Sequence, residues 1–240
     1  MGLRHLWAVL AVVVLAVLCI GQVGDAKPKP RKPLKPPPPP VAIVEPPPVV
    51  SENARAGTPG WLGPDATGRA AEVYASATDA LPGDTVALHV STQPNSMYRV
   101  LVYRIGWYGG IGARQVACLP TCSGGKLGAT QPMPAPDGDG RVVAKWPTTD
   151  SLAIDKAWVS GYYLVRVLLL SGPQEGASAT TYVIVNAPTQ TSHMLVQVPV
   201  NTWQAYNNWG GKSLYPFSVD GLRARRVSFD RPFDWRSRGA

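Results

Sequence analysis

Residues 98–105 read YRVLVYRI, and this alternation of side chains determines the fold class. Successive side chains of a strand point to opposite faces. One face would carry Tyr98, Val100, Val102 and Arg104, and the other Arg99, Leu101, Tyr103 and Ile105. Such a run of β-branched and aromatic residues is typical of a β-strand.

Similar short runs recur between turn signals on both sides of this strand. The run TVALHVS at 85–91 follows turn residues and directs Val86, Leu88 and Val90 to one side. Further candidate strands lie at 142–146, 162–170 and 179–185. Strands at this spacing without a long helical stretch predict a mainly β chain. We expect an antiparallel β-sandwich, Ig-like or jelly-roll, over residues 58–187.

The amino terminus has the features of an export signal. Arg4 and His5 precede an uncharged apolar run from Leu6 to Ile20, and small and polar residues follow as far as Ala26. Fifteen apolar residues suit a signal peptide better than a membrane span, which needs about 20 residues. We expect residues 1–26 to be a signal peptide or a retained anchor inserted through residues 6–20. The protein would then be secreted or periplasmic.

We expect residues 27–57 to be a proline-rich, disordered linker. Eleven of the 25 prolines lie between Lys27 and Pro48, and residues 36–40 are an unbroken proline run. Consecutive prolines adopt an extended polyproline II helix, which makes this segment a stiff spacer. Nothing in it beyond composition indicates a binding motif.

The charge of the remaining chain is modest. The formal net charge is +8, but residues after 50 carry 17 basic and 13 acidic side chains. Nucleic-acid binding needs basic residues clustered on one face. We therefore expect no nucleic-acid partner.

Cys118 and Cys122 lie four residues apart, on either side of Leu119-Pro120-Thr121. An exported protein meets an oxidising environment in which disulfides persist. Two thiolates without a second cysteine pair or a nearby histidine make a poor zinc site. The spacing favours a disulfide that closes a tight loop.

Residues 198–215 read VPVNTWQAYNNWGGKSLY, which shows neither helical nor strand periodicity. Aromatic side chains alternate with amides before the flexible pair Gly210 and Gly211. This mixture predicts a ligand-binding loop after a buried strand, MLVQV at 194–198. A structural aromatic plug is the alternative interpretation. Residues 188–240 are too few to enclose a core, so we expect them to be the first part of a second domain.

Two stretches resemble a known family. They are YRIGWYGGIGARQVA at 103–117 and VPVNTWQAYNNWGGKSLY at 198–215, the latter followed by RRVSFDRPF at 225–233. Both are similar to proteins with the domain of the N,N-dimethylformamidase large (beta) subunit, over roughly residues 58–233. The resemblance implies a β-sandwich followed by an α/β domain similar to glutamine-amidotransferase folds.

The resemblance also implies an amide-hydrolysing site with one iron ion held by two tyrosines and a glutamate. The first tyrosine corresponds to Tyr206 in Ala-Tyr-Asn-Asn, and the second to Tyr215 in Ser-Leu-Tyr, shortly before Asp220-Gly221. The family's glutamate lies further along the chain and has no counterpart here. We therefore expect an incomplete iron site.

Other residues of the aromatic run acquire roles from this resemblance. Asn207 and Asn208, with Gln204, are expected to orient a water molecule or the amide carbonyl, and Trp203 and Trp209 to exclude bulk solvent around a small amide. Independently of the resemblance, Arg231, which precedes Pro232, is expected to brace the loop through Asp230 or Asp234.

A non-catalytic function remains an alternative. In that case the sandwich would be a secreted or surface module, and Trp203, Tyr206 and Trp209 would form a stacking platform for a glycan or peptide.

Overall fold

The computed structural model describes residues 48–187, 189, 194–216, 218 and 220–234. The predicted export segment and most of the predicted linker lie outside these residues. Two short helices, α1 and α2, and nine strands, β1 to β9, are present in the described part. In chain order they are α1 (Pro48–Asn53), β1 (Ala71–Ala75), β2 (Asp79–Ala80), β3 (Thr85–Thr92), β4 (Met97–Ile105), β5 (Ala113–Leu119), β6 (Lys126–Leu127), β7 (Asp150–Ala153), β8 (Gly161–Leu169), β9 (Ser178–Val185) and α2 (Val200–Tyr206).

The larger sheet is built on β4 and β8, which are long antiparallel neighbours. Val100 lies opposite Val167, and Val102 lies opposite Val165. The strand order is β2-β9-β8-β4-β5, and β6 also pairs with β4. Only the short contact of β2 with β9 is parallel among these described pairs.

The smaller sheet has the order β1-β3-β7 and is antiparallel. The prediction that Val86, Leu88 and Val90 face inward is confirmed, because all three are buried. They share one apolar core with inward residues of the larger sheet. Members from both sheets include Val73, Val86, Leu88, Val90, Val100, Val102, Leu152, Val165, Val167 and Val183. The chain is therefore mainly β, with two sheets packed in the manner of a sandwich.

A buried polar bridge joins the two sheets. The Tyr98 hydroxyl on β4 donates to Asp150 Oδ2 on β7 at 2.7 Å, and Lys126 Nζ lies 2.9 Å from Asp150 Oδ1. Burial and the neighbouring carboxylate raise the pKa of Tyr98. The phenol therefore stays protonated and remains a donor to the carboxylate.

The two cysteines of the larger sheet are bonded to each other. The Sγ atoms of Cys118 and Cys122 are 2.00 Å apart. Cys118 lies on β5 and Cys122 in the turn that follows. The bridge closes a short loop next to the strand end.

Two of the predicted strands are wrong. Residues 142–146 are buried at Val142, Ala144 and Trp146 but lie outside both sheets. The Ala144 amide donates to the Asp230 carbonyl, so this stretch pairs with a later loop. The run 194–198 is irregular, and Met194 to Val196 are strongly exposed, because no described strand lies beside them to complete a ladder.

The described residues after 193 contain α2 and a 3₁₀ turn at Trp209–Gly211, and no strand among them. The amidotransferase-like domain over residues 188–240 stays a prediction. None of the described helices has the length and apolar character needed to cross a membrane.

Candidate functional site

The aromatic run begins with a short helix. Val200–Tyr206 forms α2, directly after Pro199. The prediction of a loop without helix is therefore wrong for this part of the run. A helix of two turns can form without an apolar stripe when tertiary contacts hold its side chains. The helix ends as the Asn207 amide donates to the Trp203 carbonyl at 2.9 Å.

The chain then turns sharply at the glycine pair. Gly210 has φ of 76°, which lies in the left-handed region. A Cβ on Gly210 would lie 2.7 Å from Val142 Cγ1, so a larger residue would clash with the buried stretch beneath it. The glycine allows Trp209 to enter the protein and the following residues to leave it.

Asn207 holds the two sides of the loop together. Its side chain is fully buried, and its Nδ2 donates to Gln204 Oε1 at 3.1 Å and to the Pro232 carbonyl at 2.9 Å. Its Oδ1 accepts from the amides of Trp209 and Asp234. Because both polar atoms have protein partners, Asn207 cannot also orient a water molecule without losing them. The structure assigns it a structural role in place of the expected catalytic one.

Arg231 lies at the centre of the loop with none of its surface exposed. Its Nη1 donates to the carbonyls of Trp209 at 3.1 Å and Lys212 at 2.9 Å. Its Nη2 donates to the carbonyls of Gln204 at 3.3 Å and Asn207 at 2.9 Å. The expectation that Arg231 braces the loop is correct, but it does so through four carbonyls and not through Asp230 or Asp234. Burial lowers the pKa of Arg231 to about 10, so the guanidinium remains charged at neutral pH.

Trp209 anchors the loop on the sandwich. Its side chain is only 4 % exposed, and its Nε1 donates to Glu72 Oε1 on β1 at 2.7 Å. Its ring packs edge-on against Trp146 with centroids 5.7 Å apart. Arg69 Nε donates to the other oxygen of Glu72 at 3.0 Å. Burial raises the pKa of Glu72, although the bonds from Trp209 and Arg69 oppose that shift.

Tyr206 and Tyr215 meet on the outer side of the loop. Their rings are stacked with centroids 4.1 Å apart and planes 20° apart. The side chains are exposed to solvent, Tyr206 by 43 % and Tyr215 by 37 %. The Leu214 amide donates to the Ala205 carbonyl at 3.0 Å, which sets the two tyrosines side by side. The structure thus brings together the two residues that the sequence suggested as metal ligands.

The two phenols are also coupled electrostatically. A hydrogen bond with the Tyr215 side chain, followed by the charge of that neighbour, raises the pKa of Tyr206. Lys212 forms an ion pair with Asp220 and donates to the Leu222 carbonyl at 3.3 Å. These contacts join Lys212 to Asp220 and Leu222, which follow Tyr215 in the chain.

The other predicted site residues are dispersed. Trp203 is half-buried and packs edge-on against Tyr182, with ring centroids 5.3 Å apart. Gln204 is buried and accepts from Asn207. Asn208 is half-buried beside a small cavity that Glu72 also lines. Because Trp209 is buried on another side of the loop, Trp203, Tyr206 and Trp209 do not form one stacking platform.

The chemistry of the tyrosine pair fits part of a metal-binding set. Phenol oxygens become hard anionic donors on losing their protons, and both rings are open to solvent. Asp220, the acidic residue nearest to Tyr215 in sequence, forms an ion pair with Lys212. In the described part of the chain no three His, Cys, Asp or Glu side chains are grouped so that they could hold a metal ion. The pair therefore supplies two donors, and a complete site needs more.

The contact of Glu72 with the loop was not predicted from the sequence, and neither were the four carbonyl contacts of Arg231. Glu72 stands on β1 within AEVYA, where an acidic residue in an otherwise apolar strand was the only signal. Its partner Trp209 is 137 residues away, so pairing could not be inferred from spacing.

The chain is similar to one protein family and to distant solved structures. The family described as N,N-dimethylformamidase beta subunit-like, C-terminal, matches residues 99–240, which is more than half of the chain. No curated protein matches the chain significantly.

Two solved structures share a weak likeness. The first is domain 1 of VCBP3 from Branchiostoma floridae, 14 % identical over 50 % of this chain and 97 % of its own, with a TM-score of 0.29. The second is the sulfur carrier protein SoxY from Chlorobium limicola f thiosulfatophilum, 13 % identical over 52 % of this chain and 86 % of its own, with a TM-score of 0.25. These likenesses carry no argument about fold or function.

Proposed function

Because this chain belongs to the N,N-dimethylformamidase beta subunit-like family, we propose that it takes part in hydrolysis of an amide-type C–N bond. Tyr206 and Tyr215 are two ligands of a mononuclear iron ion in this proposal. The observation that carries it is the stacking of their rings, with centroids 4.1 Å apart. When bound, iron would supply Lewis acidity at the amide carbonyl oxygen and lower the pKa of a coordinated water.

Hydrogen bonds from Arg231 hold the backbone on both sides of the two tyrosines. The hydrogen bond from Arg231 to the Gln204 carbonyl fixes α2, and those to the Asn207 and Lys212 carbonyls fix the turn before Tyr215. These contacts keep Tyr206 and Tyr215 side by side, and such support limits the reorganisation that metal binding requires.

A third anionic ligand is part of the proposal. Two phenolates give too few donors and too little charge for a stable ferric site, so a carboxylate completes the site in this proposal. Asp220 remains paired with Lys212.

We also propose that the protein acts outside the cytoplasm. The apolar run 6–20 and the disulfide between Cys118 and Cys122 support this location, since disulfides persist in oxidising compartments. The substrate would be a small amide.

Iron binding by the full chain provides the test. We expect iron(III), offered as its nitrilotriacetate complex, to develop a visible phenolate-to-iron absorption band, because that chelator brings carboxylates and leaves room for phenolates. Tyr206→Phe and Tyr215→Phe should each weaken binding at least about 100-fold and remove most of the band. Binding should strengthen as pH rises, because iron displaces the phenol protons, and the raised pKa of Tyr206 extends this dependence to higher pH.

The matched control is Tyr162→Phe. Tyr162 lies on β8 and stacks on Tyr182, away from the pair, so this variant should bind iron like the unaltered protein. An absorption band that survives in Tyr206→Phe at full strength would remove the tyrosine pair from the proposed site.

A further inference from the structure

Tyr206 and Tyr215 are the two tyrosines of the chain that a dissolved reagent can reach most easily. All nine tyrosines lie within the described residues. Tyr206 is exposed by 43 % and Tyr215 by 37 %, whereas the other tyrosines are buried or half-buried. Those others are Tyr74, Tyr98, Tyr103, Tyr108, Tyr162, Tyr163 and Tyr182. The two accessible phenols of the protein are therefore also in contact with each other.

The contact brings the hydroxyl-bearing edges of the two rings together. The ring centroids are 4.1 Å apart, and the planes are 20° apart. The hydroxyl is the polar group of a tyrosine side chain, so the hydrogen bond between these side chains joins the two hydroxyl groups. The ring carbons next to each hydroxyl, the ortho carbons, therefore lie beside those of the other ring.

The backbone around the pair keeps the rings in this arrangement. The Leu214 amide donates to the Ala205 carbonyl at 3.0 Å, directly beside both tyrosines. Arg231 donates to carbonyls on the two segments that carry them. Groups held in contact in this way react with each other far faster than the same groups free in solution.

A second stacked tyrosine pair of the chain lacks these properties. The rings of Tyr162 and Tyr182 have centroids 5.6 Å apart, and Tyr182 is only 5 % exposed. An oxidant in solution therefore reaches this pair poorly, and its rings lie further apart. Both close contact and exposure are found together at Tyr206 and Tyr215.

We propose that Tyr206 and Tyr215 are a site of oxidative modification and form a dityrosine cross-link when peroxide drives one-electron oxidation of the protein. Each phenol gives up one electron and one proton and becomes a phenoxyl radical, with unpaired spin on its ortho carbons. A carbon–carbon bond forms between one ortho carbon of each ring. Each of these carbons then loses its hydrogen as a proton, and each oxygen takes up a proton, so both hydroxyl groups are restored. One hydrogen peroxide accepts the two electrons and two protons and becomes two water molecules.

The cross-link joins α2 covalently to the segment that follows the glycine turn at Gly210 and Gly211. It adds a covalent bond to the contacts by which Asn207 and Arg231 already hold this loop. The inference rests on the contact and exposure of the two rings and not on the proposed hydrolysis.

Peptide mapping of the full, iron-free chain tests the cross-link. Trypsin cleaves after Lys212, between the two tyrosines, and separates 167–212 from 213–223. After dilute protein is treated with a peroxidase and hydrogen peroxide, we expect monomers that have lost two hydrogen atoms and show dityrosine fluorescence. Their digest should contain the two peptides joined. Tyr206→Phe and Tyr215→Phe should each lower the yield of the joined peptides at least about tenfold.

Tyr182→Phe is the matched control, because Tyr182 lies in the same tryptic peptide as Tyr206. Its hydroxyl has no hydrogen-bond partner among the described residues, so the variant leaves no partner group unsatisfied. This variant should yield as much of the joined peptides as the unaltered protein. An undiminished yield in Tyr206→Phe, or covalent dimers without joined peptides in the monomer, would overturn the proposal. Because no iron is present, the outcome is separate from that of the iron titration.

Discussion

Replacing Arg231 with methionine is expected to release residues 200–216 from the sandwich and to lower the free energy of unfolding by about 3 kcal/mol. Methionine fills similar space but donates no hydrogen bonds. Four carbonyls, those of Gln204, Asn207, Trp209 and Lys212, would lose their donor. Each buried acceptor left unsatisfied costs about 1–3 kcal/mol, and removal of an unpaired buried charge offsets part of the sum.

Two measurements check this prediction. Chemical denaturation gives the change in stability, and hydrogen exchange of the amides in 200–216 shows whether the loop opens while the strands stay protected. Arg225→Met is the matched control, because the Arg225 side chain is exposed, and its effect should stay within about 0.5 kcal/mol. Loop amides that remain as protected in Arg231→Met as in the control would show that the carbonyl contacts are not needed.

Replacing Trp209 with alanine is expected to lower the free energy of unfolding by about 3–5 kcal/mol. The change empties the space beside Trp146 and removes the donor to Glu72 Oε1. Glu72 would then keep Arg69 as its remaining partner in a site where burial already raises its pKa. The loss of packing and of a hydrogen bond to a buried carboxyl group therefore act in the same direction.

Trp107→Ala provides the comparison for this variant. Trp107 is 70 % exposed, so its replacement should change stability by less than about 0.5 kcal/mol. Thermal and denaturant unfolding of both variants give the two values. If Trp209→Ala lowered the free energy of unfolding as little as Trp107→Ala does, Trp209 would not be the anchor of the loop.

The long strands were predictable because their side chains alternate within a few residues. The inward triplet Val86, Leu88 and Val90 lies where its pattern indicates, and β8 and β9 coincide closely with the predicted runs at 162–170 and 179–185. The same local signal misled at 142–146. There the alternate residues are buried, but their partner is the loop near Asp230, more than 80 residues away. Alternation reports which side chains are buried and not which backbone lies beside them.

The prediction of a strand at 194–198 is wrong for a related reason. Four of the five residues are apolar and favour a strand, yet a strand exists only where another strand offers hydrogen bonds. In the described part of the chain Met194 to Val196 have no such neighbour and are exposed. The residue types at 194–198 favour a β-strand, but these residues do not form one in the structure.

The candidate site was predictable only in part. The resemblance led to Tyr206 and Tyr215, and the structure places their rings in contact. The resemblance did not indicate which contacts hold the loop on the sandwich. The four carbonyls around Arg231 are backbone groups that any sequence possesses, and Glu72 belongs to a strand far from the loop. Such contacts depend on the tertiary structure and leave no local signature in the sequence.

Tyr206 and Tyr215 lie against each other in one site, and proton NMR of the full chain with labelled tyrosines can detect this contact. We expect nuclear Overhauser cross-peaks between the ring protons of the two residues, as for Trp158 and Tyr163, whose ring centroids are 4.7 Å apart. Cross-peaks for Trp158 and Tyr163 without any between Tyr206 and Tyr215 would show that the tyrosine rings do not form one site.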